Sequence, residues 1–181
     1  MKVLIKGGKK FEKDLLEQFT LWAGYKLLGP RIAKNSQVIV HLKKYKEKAE
    51  NLGSCVADDE LLYPRSFLIE VDRSQTPKQL IQTLAHEMTH VKQFAFGELK
   101  YPKRNQTLTK WKGETFQDTD VDYWDAEWET EARGREVGLY MQFIELMGLV
   151  PQFKKDSPEF TLTPKIKFKE RLIPNDWNNN D

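Results

Sequence analysis

One amphipathic segment, residues 76–97, constrains the fold more than any other part of the sequence. Thr76 is a suitable N-cap, Pro77 suits the first helical position, and Gln79 stands three residues after the cap, as in a capping box. Apolar residues then recur at spacings of three and four, and Gly97 supplies a stop. The segment therefore predicts a helix with one face against a core. That face comprises Leu80, Leu84, Met88, Val91 and Ala95.

The remaining patterns predict short strands before this helix, and a hairpin and a long helix after it. Lys112-Gly113 marks the hairpin turn, and Gly29-Pro30 ends the first helix. The long helix is expected to begin near Asp122 or Asp125 and to end by Gly148 and Pro151. This order predicts one α+β domain over residues 1–181, with mostly antiparallel strands and an irregular tail from about 152 to 181. The predicted elements are strands at 1–7, 37–44 and 66–73, helices at 11–29, 76–97 and 125–148, and a hairpin at 108–116.

Composition narrows the class of protein. Of the 181 residues, 39% are hydrophobic and 12% aromatic, which is typical of a folded globular chain. A net charge of +2 gives no overall reason to expect nucleic acid or an anionic membrane as partner. The single cysteine, Cys55, excludes an internal disulfide and a multi-cysteine zinc site. No apolar run is long enough to span a membrane, so the expectation is a protein that works in the cytoplasm.

The predicted helix carries the motif H-E-x-x-H. His86 and His90 are separated by one turn and lie on the same side, close enough to share one zinc ion. Glu87 is rotated by roughly 100° from His86, where it can take a proton from a zinc-bound water without ligating the metal. The alternative is an ordinary polar face of an amphipathic helix.

A catalytic zinc needs a third protein ligand. His41, the only other histidine, lies on a predicted strand, and with Cys55 it offers a closed four-ligand site as one alternative. Carboxylates of the long helix offer another. The tail segment KIKFKER, residues 165–171, is typical of one solvated strand face, and a DNA-binding surface is its alternative. The sequence does not predict the oligomeric state.

Two glutamates of the long helix, Glu127 and Glu131, form an i, i+4 pair whose face continues through Gly134 and Gly138. Glycines inside a helix cost roughly 1 kcal/mol each relative to alanine, so we expect this face to approach another helix closely. Glu129 points elsewhere and is expected to face solvent. The acidic residues also complement the helix N-terminus, which is the structural alternative.

HEMTHVKQ followed by WETEA resembles the gluzincin class of zinc metallopeptidases. WKGETF followed by YWDAEWETEARGREVG is similar to a family of small metallopeptidases common in bacteriophage genomes, over residues 66–140. The resemblance implies a zincin-like fold, in which a small sheet packs on the H-E-x-x-H helix and a second long helix carries the third ligand. It also implies zinc, a protein or peptide substrate and, for a phage product, the host cytoplasm. In such families the ligand precedes an alanine, which selects Glu131, with Glu127 as outer partner or alternative ligand.

The resemblance also implies roles around the metal. Glu87 is expected to act as general base, with Tyr101, Tyr123 and His41 as candidates to stabilise the oxyanion. The strand at 66–72 is expected either to bind the substrate backbone as an added strand or to be a buried core strand. About forty residues separate His90 from Glu131, more than in well-studied gluzincins. A catalytically silent protein of the same fold, or a DNA-associated protease, is the alternative function.

Overall fold

The computed structural model describes residues 1–45, 51–59, 61–102 and 107–148. It is an α+β fold, as predicted, and none of the helices in these ranges is long and apolar enough to cross a membrane. The predicted irregular tail and its basic segment KIKFKER lie outside the described residues. In chain order the elements are β1 (Lys2–Lys6), α1 (Lys10–Lys34), β2 (Gln37–Lys43), β3 (Gly53–Ala57), β4 (Ser66–Asp72), α2 (Pro77–Ala95), β5 (Leu99–Lys100), β6 (Leu108–Trp111), β7 (Glu114–Gln117) and α3 (Glu127–Leu146).

The main sheet is mixed rather than mostly antiparallel. Its strand order is β1-β2-β4-β3; β1 and β2 are parallel, β2 and β4 are parallel, and only β3 is antiparallel to its neighbour β4. The expectation of antiparallel neighbours is wrong here because α1 acts as a crossover that returns the chain to the end of the sheet where β1 began. The smaller sheet, β5-β6-β7, is antiparallel throughout.

The helices cover one face of the main sheet. Alternate residues of β2 and β4 are buried beneath them, as the alternation in QVIVHLKK predicts. β4 lies between β2 and β3, so it is a central core strand with both edges paired. α3 packs on α2, on the side that carries the histidines. The buried alternate residues are Val38, Val40, Leu42, Phe67, Ile69 and Val71.

The best-marked helix begins where its sequence predicts. The N–H of Gln79 donates to the Thr76 hydroxyl (3.4 Å), and the N–H of Thr76 donates to Oε1 of Gln79 (3.0 Å), which completes the capping box. α1 is interrupted at Gly29 (φ 73°, ψ 164°), as predicted, but a further helical turn follows it. α3 begins at Glu127, and its N-cap residue, Ala126, has no side chain that can cap.

The predicted hairpin supports the start of α3. Its turn places Lys112 (φ 47°) and Gly113 (φ 96°) in the left-handed region, as tight two-residue hairpins require. The indole N–H of Trp111 donates to Oε2 of Glu127 (2.8 Å). The ring of Trp128 packs beside Trp111, with 6.2 Å between centroids. The hairpin thus fixes the first turn of the helix that faces the histidine pair.

Candidate metal centre

Three side chains from two helices bring ligand-type atoms together. Nε2 of His86 lies 3.0 Å from Nε2 of His90, both on α2. The carboxylate of Glu129, on α3, completes the group: its Oε2 is 3.2 Å from Nε2 of His86 and its Oε1 is 3.4 Å from Nε2 of His90. Within the described ranges this is the group of His, Cys, Asp and Glu side chains that could hold a metal ion.

The spacing fits a single small cation. A tetrahedral zinc with bonds of about 2.0–2.1 Å to nitrogen and oxygen places its ligand atoms about 3.3 Å apart. The two Nε2 atoms are 3.0 Å apart, and a different oxygen of the Glu129 carboxylate lies 3.2 Å from Nε2 of His86 and 3.4 Å from Nε2 of His90. Oε2 of Glu129 is buried, and among the described residues it has no hydrogen-bond donor unless His86 is protonated on Nε2. A buried carboxylate oxygen without a donor favours a cation beside it.

Hydrogen bonds on the outer sides of the rings fix the histidine tautomers. Nδ1 of His86 lies 2.8 Å from Oε1 of Glu136, and a carboxylate can only accept. Nδ1 of His90 lies 2.8 Å from Oε1 of Gln93, whose amide nitrogen donates to the carbonyl of Trp128 and so cannot face the ring. Both Nδ1 atoms therefore carry hydrogen, so each ring, when it is neutral, directs its Nε2 lone pair towards the centre, as metal-ligating histidines do.

The charges at the centre depend strongly on one another. Burial acts to lower the pKa of His86, but hydrogen bonds with Glu129 and Glu136 outweigh it and raise the pKa to about 9. Burial acts to raise the pKa of Glu129, yet the two histidines hold it well below its usual range. Burial raises the pKa of Glu87 to about 7, although His90 and His86 pull it down. Positive charge at the centre is thus strongly favoured, and Glu87 has a pKa suited to proton transfer.

The structure brings Glu129, not Glu131, to the histidines. Glu131 accepts hydrogen bonds from Nζ of Lys92 (3.1 Å), Nε2 of Gln93 (3.2 Å) and Nε of Arg135 (3.1 Å). It does not belong to the group of side chains that could hold a metal ion. The expectation that Glu129 faces solvent is wrong, because this residue is only 6% exposed. Glu131 instead acts from outside, since its contact with Gln93 supports the amide that holds His90.

The face of α3 that packs on α2 is not the glycine-containing face that the sequence pattern predicts. Gly134 and Gly138 were expected to allow close approach of α2, but a Cβ at either position would meet nothing within 4 Å. Glu127, which belongs to the same predicted face of α3 as the two glycines, is exposed. It accepts a hydrogen bond from Trp111 and does not contact the histidines. The face that packs runs through Ala132, Leu139, Tyr140, Phe143 and Ile144, all buried. Continued towards the N-terminus at spacings of three and four, that face reaches Glu136 and Glu129, which is the signal that identifies the ligand.

A polar cleft opens beside the centre. It has a volume of about 310 Å³, and its walls include His86, Glu87, Tyr123, Arg133 and Glu136. Glu87 is 4% exposed. Gly53, the first residue of β3, comes so close that a Cβ there would lie 2.6 Å from Oε1 of Glu87. The absence of a side chain at Gly53 is what allows β3 to pass directly beside this carboxylate.

Arg133 closes one side of the cleft. Its guanidinium lies 4.6 Å from the ring centroid of Tyr123 and 4.1 Å from that of Trp124, within the range of cation–π contacts. Its buried Nη2 is 4.0 Å from Oε2 of Glu129 and donates no hydrogen bond to any described residue. No sequence pattern identifies Arg133 or Trp124 as a site residue, because their role depends on stacking between an irregular segment and α3.

The other predicted site residues lie apart from the cleft. His41 is on β2, where it is in register with Glu70 of β4, on the sheet face away from the helices. Tyr101 lines a different cavity. Cys55, on β3, packs against the core, and burial raises the pKa of its thiol well above the usual value. Neither His41 nor Cys55 belongs to the metal-type group, so the closed four-ligand alternative gains no support within the described residues.

No protein-family model matches this chain, no curated protein is significantly similar to it, and no solved structure is significantly similar to it. The family likeness inferred from HEMTHVKQ and WETEA therefore stays a prediction.

Proposed function

We propose that this protein is a zinc-dependent metallopeptidase in which His86, His90 and Glu129 hold the ion and Glu87 is the general base. The observation that carries the proposal is the convergence of two imidazole nitrogens and the Glu129 carboxylate, with nearest atoms 3.0 to 3.4 Å apart and both histidine tautomers fixed from outside. A zinc held there would lower the pKa of a coordinated water towards about 7 and would polarise the scissile carbonyl.

Glu87 performs the proton transfers. It follows a ligand histidine on α2, so it lies beside the centre without belonging to the ligand group, and it borders the cleft. Its carboxylate takes a proton from the attacking water and passes it to the leaving amine. Its pKa of about 7 would be lowered beside a bound cation, which would keep the carboxylate ionised at neutral pH.

Tyr123 and Arg133 are the proposed hydrogen-bond donors to the substrate, because both line the cleft together with His86 and Glu87. Of the three oxyanion candidates predicted from the sequence, only Tyr123 lines the same cleft as His86 and Glu87. Burial and the charge of Glu129 raise the pKa of Tyr123, so its hydroxyl keeps the proton that it must donate. The unused Nη2 of Arg133 offers a second donor to a substrate oxygen.

The substrate backbone is assigned to β3 rather than to β4. The strand at 66–72 has both edges paired and cannot accept an added strand. β3 pairs only with β4 among the described residues, and its first residue adjoins Glu87. An extended peptide added to the free edge of β3 therefore brings its backbone to the general base.

Elemental analysis tests the metal, and one variant tests the chemistry. We expect about one zinc per chain in the wild type, a loss in His86→Ala, and no change in Glu87→Gln. With an unfolded protein as substrate, Glu87→Gln should lower hydrolysis roughly 10²–10⁴-fold. Equal zinc content in His86→Ala and wild type would contradict the metal site. Retained zinc without hydrolysis in any form would favour the catalytically silent alternative.

A further inference from the structure

The far end of β3 lines a second cavity, separate from the polar cleft. Its volume is about 460 Å³ and its walls are mostly apolar. Val56 and Ala57 contribute from β3, Phe94 contributes from the last turn of α2, and Leu61 and Leu62 form an outer lip. Sites for drug-sized ligands occupy about 300–1,000 Å³, so this cavity can take one bulky apolar side chain.

The lip is apolar although it is exposed to solvent. Leu61 is 59% exposed and Leu62 is 66% exposed, and Val56 beside them is 49% exposed. A contiguous group of large exposed apolar side chains around a cavity is typical of a binding surface. Exposing these apolar side chains to water costs free energy in the unbound protein, and an apolar ligand group that covers them recovers this free energy.

Hydrogen bonds hold the lip in place before anything binds. Asp59 accepts from the backbone N–H groups of Leu61 (3.2 Å), Arg65 (2.7 Å) and Ser66 (2.7 Å). Nη1 of Arg65 donates to the carbonyl of Ala95 (2.9 Å), which ties this loop to the end of α2. The cavity is therefore preorganised, and binding there requires little ordering of the loop.

The position of the cavity along β3 defines a distance from the reacting bond. Gly53 adjoins Glu87, whereas Val56 and Ala57 follow three and four residues later. At about 3.3 Å per residue, the cavity lies about 10–13 Å from the general base. A peptide on the free edge of β3 thus places its third or fourth residue from the scissile bond at the cavity.

The direction of the bound peptide determines on which side of the scissile bond its cavity residue lies. Antiparallel pairs are more stable per residue than parallel ones and are two to three times more common. An antiparallel peptide passes Ala57 before Gly53, so the residue in the cavity is N-terminal to the scissile bond.

Two lysines at the rim of the cavity favour a ligand with an acidic residue. Lys100 and Lys110 are directly opposite each other in the β5–β6 pair, and both border the cavity. Like charges directly opposite on a sheet are destabilising, and an acidic group bound between them relieves this repulsion.

We propose that this cavity is a specificity subsite that takes a bulky apolar side chain, three or four residues before the scissile bond, with an acidic residue next to it. The assignment of the bond rests on the proposed peptidase function, but binding of such a peptide to the cavity does not.

The direct test is fluorescence anisotropy with labelled ten-residue peptides of serine and glycine that contain one phenylalanine, or serine in its place. We expect the phenylalanine peptide to bind the full chain roughly 10- to 100-fold more tightly. Leu62→Glu should abolish the difference. Val137→Glu, at an α3 residue that is 57% exposed and does not line the cavity, should preserve it. A glutamate beside the phenylalanine should tighten binding further, and Lys110→Glu should remove that gain.

The outcomes separate the subsite from the peptidase. His86→Ala should still bind the phenylalanine peptide, so a subsite without zinc or hydrolysis would end the proposed function and leave this inference standing. If the wild type hydrolyses a random peptide mixture, the products should carry apolar residues three or four positions before the cut. Cleavage without that preference, an apolar preference after the cut, or equal binding of both peptides would overturn the subsite. Self-association lost in Leu62→Glu would overturn it in favour of a second copy of this chain.

Discussion

The two helices that meet at the histidine pair, α2 and α3, differ in how far their sequences specify which side faces the core. On α2 an apolar stripe, a capping box and a terminal glycine all indicate one start and one face. On α3 the first turns are acidic, two glycines interrupt the middle, and exposed Val137 and Met141 make the outer side as apolar as parts of the inner side. A helix face is predictable when several independent signals agree, and it is ambiguous when they do not.

The largest expected effect is on zinc affinity, and it distinguishes Glu129 from Glu131 as the ligand that α3 provides. Glu129→Ala should lower zinc affinity more than about 100-fold, because it removes a ligand and not merely a supporting contact. Glu131→Ala should have a much smaller effect, since Glu131 reaches the centre only through Gln93. Competition with a chromogenic chelator measures both affinities.

The reverse order of affinities would restore Glu131 as ligand and show that α3 turns its other face to α2. Glu145→Ala is the matched control, because Glu145 is an exposed acidic residue of the same helix. Its zinc affinity should equal that of the wild type.

A smaller effect is expected for the partner that orients a ligand from outside. Glu136 accepts from Nδ1 of His86 and belongs to the same buried face of α3 as Glu129. Glu136→Ala should lower zinc affinity about 10–100-fold, whereas Glu136→Gln, which keeps an acceptor, should lose less. Equal losses in the two variants would show that charge, and not ring orientation, is what Glu136 contributes.

Local signals were sufficient for much of the fold. Thr76, Pro77 and Gln79 predicted the start of α2, and Lys112-Gly113 predicted the hairpin turn, because caps and tight turns depend on nearest neighbours along the chain. β3 was missed: GSCVA is short and follows a polar, lysine-rich connection, and it becomes a strand through its pairing with β4.

Strand pairing and the geometry of the site depend on contacts between residues that are distant in the chain. Local sequence patterns do not predict such contacts. Parallel pairing of β1 with β2 follows from the crossover by α1, not from the residues of either strand. The histidine pair could be predicted because both residues lie on one helix. Glu129 is harder to predict, because its role depends on how α3 rotates against α2, and the buried face that shows this rotation is marked by Tyr140 and Phe143, about three and four turns away.

The glycines of the two regions should respond to alanine in opposite directions. Gly134→Ala and Gly138→Ala should each stabilise the protein by up to about 1 kcal/mol, because helix propensity improves and the added Cβ meets nothing. Gly53→Ala should destabilise, since its Cβ would lie 2.6 Å from Oε1 of Glu87 and 2.6 Å from Cγ2 of Thr83. Urea unfolding measures all three. Destabilisation by either helix substitution would indicate that the outer face of α3 is covered in solution.

The smallest effect concerns the turn that leads into α2. Asp72 accepts from the hydroxyl of Ser74 (2.6 Å) and from the backbone N–H of Tyr45 (3.3 Å). The hydrogen bond from Ser74, more than any other contact, lowers the pKa of Asp72 below its usual value. The ionised form therefore stabilises the fold above pH 4, roughly the pKa of an unfolded aspartate, and this contribution is lost as the pH falls through the lower folded value. The free energy of unfolding of wild type minus that of Asp72→Asn should be positive at pH 7 and should shrink by pH 3. A difference that does not change with pH would mean that the carboxylate acts as an acceptor alone, and that the start of α2 is fixed by geometry rather than by charge.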